Sequence, residues 1–260
     1  MSLKSGAMRA GTLRSYSSLA RGFHEPGDRP RRFYADVSVG EMNGGFSILL
    51  DGRGLKSLKG APVVLPTEAL AQQVAREWAG QGEVLELAAM PVTRLANTAL
   101  EAVPAAREAT AQSVADYAAS DLLCYYAETP VGLRVRQQAL WGPVLGRAEA
   151  ELGLAFLPAD GIVHQPQPPE TLARVKALAL ALDNFGLTGL AFGAPLFGSA
   201  VLAIALQRGW LSGEAAFDLS RLDEAWQEEQ WGIDAEAAER TERLRGEAVL
   251  LQRWFEGLFI

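Results

Sequence analysis

From residue 33 onward the chain alternates apolar and polar positions. Phe33, Ala35, Val37 and Val39 are spaced by two, Asn43-Gly44-Gly45 interrupts them, and Phe46, Ile48 and Leu50 resume the period until Asp51-Gly52. A period of two puts alternate side chains on one sheet face, and Asn-Gly and Asp-Gly tolerate the positive φ of tight turns, so the stretch predicts a β-hairpin. Short strands are expected at residues 55–58 and 63–65. Pro66-Thr67-Glu68 then opens a helix, with Thr67 as its cap and Glu68 suited to the positive end of the helix dipole. Leu70, Val74 and Trp78 form its apolar stripe, and Gly80 and Gly82 end it. A small antiparallel sheet covered by one helix makes a stable two-layer unit.

After Met90-Pro91 the pattern becomes helical almost throughout. Helices are expected at residues 93–102 and 105–124, divided by Pro104, and at 130–152, ending near Gly153. A proline-rich connection over 155–169 leads to helices at 170–185, 196–207, 212–231 and 233–259. In the last of these Leu244, Ala248, Leu251, Phe255 and Leu258 recur at helical spacing. Residues 187–206 carry no charge and approach the length of a membrane span, but Gly189, Gly193, Pro195 and Gly198 interrupt them. They read as a loop followed by one buried helix of about 12 residues, with no membrane insertion. The glycines of this stretch also have the spacing of close helix packing. The fold class is therefore α+β: a small antiparallel-sheet-plus-helix domain over residues 31–90, then a mostly α domain over 91–260, preceded by a flexible basic N-terminus over 1–30.

Composition narrows the chemistry. A chain of 260 residues with 49% hydrophobic content can bury a sizeable core without disulfides or metals. Cys124 is the only cysteine, which excludes an internal disulfide and any multi-cysteine metal site and fits a reducing compartment. Only His24 and His164 remain for metal or proton-transfer work. The net charge is −7, unevenly spread: residues 1–32 hold seven Lys/Arg against Glu25 and Asp28. The remainder carries 17 basic against 29 acidic groups, a net −12 that repels phosphate backbones and argues against nucleic acid as a partner. The first two dozen residues, rich in Arg, Ser and small residues, read either as a bacterial tail, with residues 1–3 as an expression remnant, or as a mitochondrial presequence. Bacterial cytoplasm and mitochondrial matrix are the corresponding locations.

Sites of catalysis are hard to assemble. Cys124 sits in Asp121-Leu122-Leu123-Cys124-Tyr125, an apolar setting that favours a buried structural thiol over a thiolate paired with His164. The glycines at 44, 52 and 54 lack the lysine and helix of a phosphate loop, so no nucleotide cofactor is expected. The C-terminal charge pattern says more. Residues 212–242 contain ten acids and only Arg221 and Arg240, with Trp226 and Trp231 among them. Two readings stay open: a solvated acidic face over two core tryptophans, or a recognition surface in which aromatics sit beside fixed charge. Leu219, Leu222 and Trp226 share one helical stripe and are expected to be buried.

Several blocks, in order, carry a family resemblance. They are Arg32-Phe33-Tyr34, Leu50-Asp51-Gly52-Arg53, Leu65-Pro66-Thr67 and Ala75-Arg76-Glu77-Trp78, then the distinctive Met90-Pro91-Val92-Thr93-Arg94-Leu95-Ala96-Asn97-Thr98-Ala99. Asp121-Leu122-Leu123-Cys124-Tyr125, Arg136-Gln137, Trp141-Gly142-Pro143, Leu222-Asp223-Glu224-Ala225-Trp226-Gln227 and Trp231-Gly232-Ile233-Asp234 follow. Together they resemble the assembly chaperones for the alpha subunit of the F-type ATP synthase, the Atp-twelve family, from about residue 31 to the end. The resemblance implies an orthogonal arrangement of the helical domain and a role without turnover: covering the free alpha subunit until the beta subunit replaces the chaperone. It implies no cofactor, no metal and no small-molecule substrate, and a monomer when free. Glu228, Glu229, Trp231, Asp234 and Glu236 are the expected partner-binding residues, and Arg94, Asn97, Asp121, Tyr125 and Arg136 the expected interdomain hydrogen-bond network. An enzyme with its site in the interdomain cleft, centred on Cys124 or on Asp121, Tyr125 and Arg136, is the competing reading. An adaptor for another oligomeric complex is the third.

Overall fold

The hairpin forms where a two-residue turn can close it. In the computed structural model, which describes residues 30–232 and 235–259, β1 (Val37–Met42) and β2 (Gly45–Leu50) pair antiparallel with Val39 opposite Ile48 and Met42 opposite Gly45. Asn43 and Gly44 between them both adopt positive φ, 52° and 80°, which matches the twist of the flanking strands. Asp51-Gly52 repeats the device and leads into the short β3 (Arg53–Gly54).

The strand begins later than the alternation predicts. Phe33 is 71% exposed, whereas Tyr34, which falls on the polar phase, is buried with its hydroxyl donating to the Trp78 carbonyl at 2.8 Å. The reason is a local lock. The Arg32 guanidinium stacks 4.6 Å from the Tyr34 ring centre and donates to the carbonyls of Tyr34, Ala35 and Gln81. The Asp51 carboxylate accepts from the amides of Ala35 and Asp36, so these two amides bond to a side chain instead of to a strand. Residues 55–58 and 63–65 form no strands: the Leu55 amide donates to the Ile48 carbonyl, Lys56 and Pro62 bridge the two segments, and Leu65 bridges Phe46 of β2.

The helix α1 (Glu68–Ala79) starts at Thr67, whose side chain accepts from the Leu70 amide, and buries Leu70, Val74 and Trp78 against the sheet. From there the described residues are mostly helical: α2 (Pro91–Asn97), α3 (Val103–Ala118), α4 (Val131–Leu152), α5 (Pro169–Ala181), α6 (Asn184–Phe197), α7 (Ala200–Gln207), α8 (Gly213–Ser220), α9 (Leu222–Trp231) and α10 (Ala235–Glu256). A small antiparallel sheet with a largely helical remainder is the α+β class expected. The apolar core is continuous from Tyr34 to Phe255, and α10 reaches back to the N-terminal layer. The Thr67 hydroxyl donates to the Gly257 carbonyl, and Gln73 Nε2 donates to the Arg253 carbonyl at 2.7 Å.

Four helix expectations are corrected. Pro104 lies in the first turn of α3, where its missing N–H costs nothing, and the break expected there falls two residues on, at Ala106 (φ −135°, ψ 23°), where α3 is kinked; residues 98–102 link α2 to α3 as a π-helical turn. The helix expected to run to Cys124 stops at Ala118, because Asp121 turns extended (φ −60°, ψ 129°) and caps a 3-10 turn over Leu122–Cys124. Tyr125–Tyr126 (β4) then pairs parallel with Ala159–Asp160 (β5). Residues 187–206 are not a loop and one helix but two buried helices, α6 and α7, parted by Gly198 with φ +63°. The α6 glycines do not interrupt the helix but serve the close packing that their spacing suggests: a Cβ on Gly189 would lie 2.5 Å from the Phe255 ring and one on Gly193 2.8 Å from Leu251. Among the described residues no helix is long and apolar enough to cross a membrane. The single helix expected over 212–231 breaks at Arg221 (φ −115°, ψ 20°) into α8 and α9.

Candidate functional site

The last acidic segment folds so that α9 has two different flanks. One is clamped onto α4. Gly132 leaves room for the Trp226 indole, since a Cβ there would lie 2.8 Å from Cη2. One turn on, Arg136 Nη1 donates to both carboxylate oxygens of Glu229, at 2.7 and 2.8 Å, with its guanidinium 6.0 Å from the Trp226 ring centre. One position further, the buried Gln137 donates to Asp223 at 2.7 Å and accepts from the Ala127 amide, while Trp141 Nε1 donates to the Leu219 carbonyl. Partial burial raises the Asp223 pKa, against which the Gln137 hydrogen bond works. The period-3.6 spacing of Gly132, Arg136 and Gln137 on one helix and of Leu222, Trp226 and Glu229 on the other makes this clamp. Of the stripe read from sequence, Leu222 is buried while Leu219 and Trp226 are half-buried.

The other flank of α9 lines an open groove of about 860 Å³, walled by α9 and the first turns of α10 and floored by the ends of α6 and α8. Phe197 and Phe217 are buried beneath it, and Leu122, Leu196 and Leu244 are half-buried at its surface. Glu224, Glu228 and Glu236 stand on its rim. Glu228 is tied to Arg221 at 2.9 Å. Trp231 is 80% exposed at the end of α9 and forms part of the lining, so it is no core tryptophan. Of the five expected partner-binding residues, the structure thus brings Glu228, Trp231 and Glu236 to one groove. Glu229 lies on the opposite flank in the α4 clamp, and Asp234 lies outside the described residues.

Arg94, Asn97, Asp121, Tyr125 and Arg136 are distributed over separate interactions. Asp121 is fully buried. Its carboxylate accepts from the Leu123 amide at 3.2 Å and the Val201 amide at 3.0 Å, so it caps both the 3-10 turn and the start of α7. Burial pushes its pKa up to about 6, opposed by the hydrogen bonds from Ser199, Val201, Leu123 and Ala200. The Tyr125 hydroxyl lies 3.0 Å from His164 Nδ1 on the surface, Arg136 holds Glu229, and Arg94 is exposed. Asn97 Oδ1 is buried without a partner among the described residues.

A further residue that ties the sheet layer to the helices is one whose role the sequence did not disclose. Glu77 of α1 accepts from the Val92 and Thr93 amides and from the Thr93 hydroxyl, each at 2.7 Å. A Glu in a helix repeat carries no local sign of such a task, since its partners lie 15 and 16 residues on. The competing enzyme reading finds no support in Cys124. The thiol is buried, and burial first and the Asp121 carboxylate second raise its pKa, away from the reactive thiolate. His164 meets Tyr125, and the groove lining includes none of Asp121, Cys124, Tyr125 or Arg136.

Comparison with known proteins agrees with this architecture. Residues 31–149 match the family model described as ATP12 chaperone protein. The mitochondrial protein atp12 of Schizosaccharomyces pombe is 28% identical over 221 residues, covering 80% of this chain and 76% of the relative. The crystal structure of Atp12 from Paracoccus denitrificans superposes with a TM-score of 0.83 at 38% identity, covering 88% of this chain and 98% of that one. A chaperone-like protein from Agrobacterium tumefaciens superposes with a TM-score of 0.82 at 39% identity, covering 88% and 87% of the two chains. With the fold shared over nearly the whole length of the Paracoccus protein, the chain belongs to the ATP12 chaperone family.

Proposed function

We propose that this protein holds the free alpha subunit of the F-type ATP synthase and shields its subunit interface until the beta subunit takes its place. An orphaned subunit exposes apolar surface that its neighbour would cover, and such a patch invites aggregation. A cover that leaves by competition needs moderate affinity and no turnover. The observation that carries the reading is the placement of Trp231, 80% exposed, beside an apolar-floored groove with acids on its rim. A large aromatic next to fixed charge is the composition of an interface anchor. The alpha subunit as client follows from the family resemblance in the sequence, and the free chaperone is a monomer in this reading.

Co-expression with isolated alpha subunit tests it. The expected result is a higher soluble yield of alpha subunit and a one-to-one complex by size exclusion, dissolved on adding beta subunit. Alpha subunit that precipitates to the same extent with and without the chaperone refutes the proposal.

A further inference from the structure

We infer that the groove between α9 and α10 receives a basic amphipathic helix, so that the client is recognised as a helix in a groove; this rests on the chaperone reading for the identity of the client but not for the chemistry of the site. The floor is apolar: Leu122, Leu196 and Leu244 are half-buried over Phe197 and Phe217. A docked helix would cover these side chains with an i, i+3, i+4, i+7 stripe of its own. The walls are helical. α9 is ten residues long, so it offers about 15 Å of wall, matched by about ten residues of a bound helix. On the opposite wall α10 is exposed from Glu236 to Arg240 and becomes buried at Ala248, so its first turns stand clear of the body and leave the groove open at one side.

The rim selects the charge of the occupant. Glu224 and Glu236 are exposed there and Glu239 is exposed nearby on α10, while Glu242 meets Arg245, and Asp223 and Glu229 lie behind α9, held by Gln137 and Arg136. The groove lining carries Glu224, Glu228 and Glu236 against Arg221 and Arg240; Arg221 and Glu228 pair with one another, which leaves Glu224 and Glu236 against Arg240. An acidic segment of this kind repels a like-charged partner and complements Lys and Arg placed beside an apolar stripe. Trp231 adds an aromatic face on which a cationic side chain can rest.

The test uses the full chain and a fluorescein-labelled Leu/Lys peptide designed as an amphipathic helix, with a scrambled peptide of equal composition and a Leu/Glu peptide as controls. Fluorescence polarisation is expected to show binding of the Leu/Lys helix alone. Trp231→Ala, and Glu224→Lys combined with Glu236→Lys, should each weaken it about tenfold or more. Reversing Glu41 and Glu149, two exposed acids elsewhere, should leave it unchanged. Equal binding of the scrambled peptide, or equal loss in the Glu41/Glu149 variant, marks a general charge effect and overturns the inference. Capture of free alpha subunit is measured on the same variants. If the groove variants capture it as well as the parent does, the groove assignment falls and the chaperone reading stands. If the parent itself captures none while the Leu/Lys helix still binds selectively, the groove assignment stands and the client is another protein.

Discussion

Glu77 Oε2 accepts both the backbone amide and the hydroxyl of Thr93, each at 2.7 Å, so the carboxylate of one helix caps the next. Helix α2 opens at Met90-Pro91, and Met90 has no side-chain oxygen with which to satisfy the free amides of the first turn. Glu77 supplies that oxygen from across the joint between the sheet layer and the helices. Burial raises its pKa, against the hydrogen bonds from Thr93 and Val92. Glu77→Ala is expected to destabilise the protein by about 2 kcal/mol, since it strands buried donors. Thr93→Val should cost less, as it removes one of three bonds. Urea unfolding of both variants checks the ranking, and a larger loss in the Thr93 variant contradicts it.

Asp121 gives the fold a pH dependence of defined sign. Its carboxyl titrates near the ordinary value of 3.8 when unfolded and at about 6 when folded. The folded state therefore binds the proton more tightly, and the contribution of this group to stability is fully present below pH 3.8 and lost as pH rises through 6. Asp121→Asn keeps the shape and removes the titration. It also turns an amide nitrogen toward one of the backbone donors, at a cost of about 2 kcal/mol. The difference in unfolding free energy between parent and variant should shrink between pH 4 and pH 6.5, measured by urea midpoints. A constant difference across that range argues against the assignment.

Arg136 and Glu229 are both partly exposed, at 36% and 49%, so their ion pair is worth at most about 1 kcal/mol. Glu229→Lys should therefore fold normally by circular dichroism, with a melting temperature close to that of the parent. The expected effect is on the end of α9, which loses one of its ties to α4 next to Trp231, so capture of the alpha subunit weakens. The swap Arg136→Glu with Glu229→Arg should restore capture. If the swap captures no better than Glu229→Lys, the residue acts by its own charge and not by positioning the helix.

The α6 and α10 contact leaves no room at Gly189. A methyl group there would meet the Phe255 ring at 2.5 Å and Trp254 at 3.1 Å, both on α10. On an exposed helix Gly→Ala is stabilising, so the sign of the change reports the packing. Gly189→Ala is expected to destabilise by about 1–3 kcal/mol, and Gly246→Ala, where a Cβ meets nothing within 4 Å, should be neutral or stabilising. Thermal melts of the pair decide it.

What the sequence determined by itself is whatever a few neighbouring residues can decide. Asn43-Gly44 and Asp51-Gly52 accept positive φ wherever they occur, Thr67 caps α1 through a residue three positions on, and Leu70, Val74 and Trp78 carry the helical period on their own spacing. The change from sheet to helix near Met90 was legible for the same reason, and so was the acidity around Trp231. Tertiary structure decided the questions whose partners are distant in the chain. Tyr34 is buried in place of Phe33 because Arg32 and Trp78 hold it, α3 ends early because Asp121 serves an amide 80 residues away, and the α6 glycines admit Phe255 and Leu251. The same holds for the site: composition marked the acidic segment, but only the packing of α9 against α4 turned Glu229 to one flank and Glu228 and Trp231 to the other. Local sterics act through bonds and repeat in any context, whereas a hydrogen bond or a packed face across the fold exists only once both surfaces have been brought together.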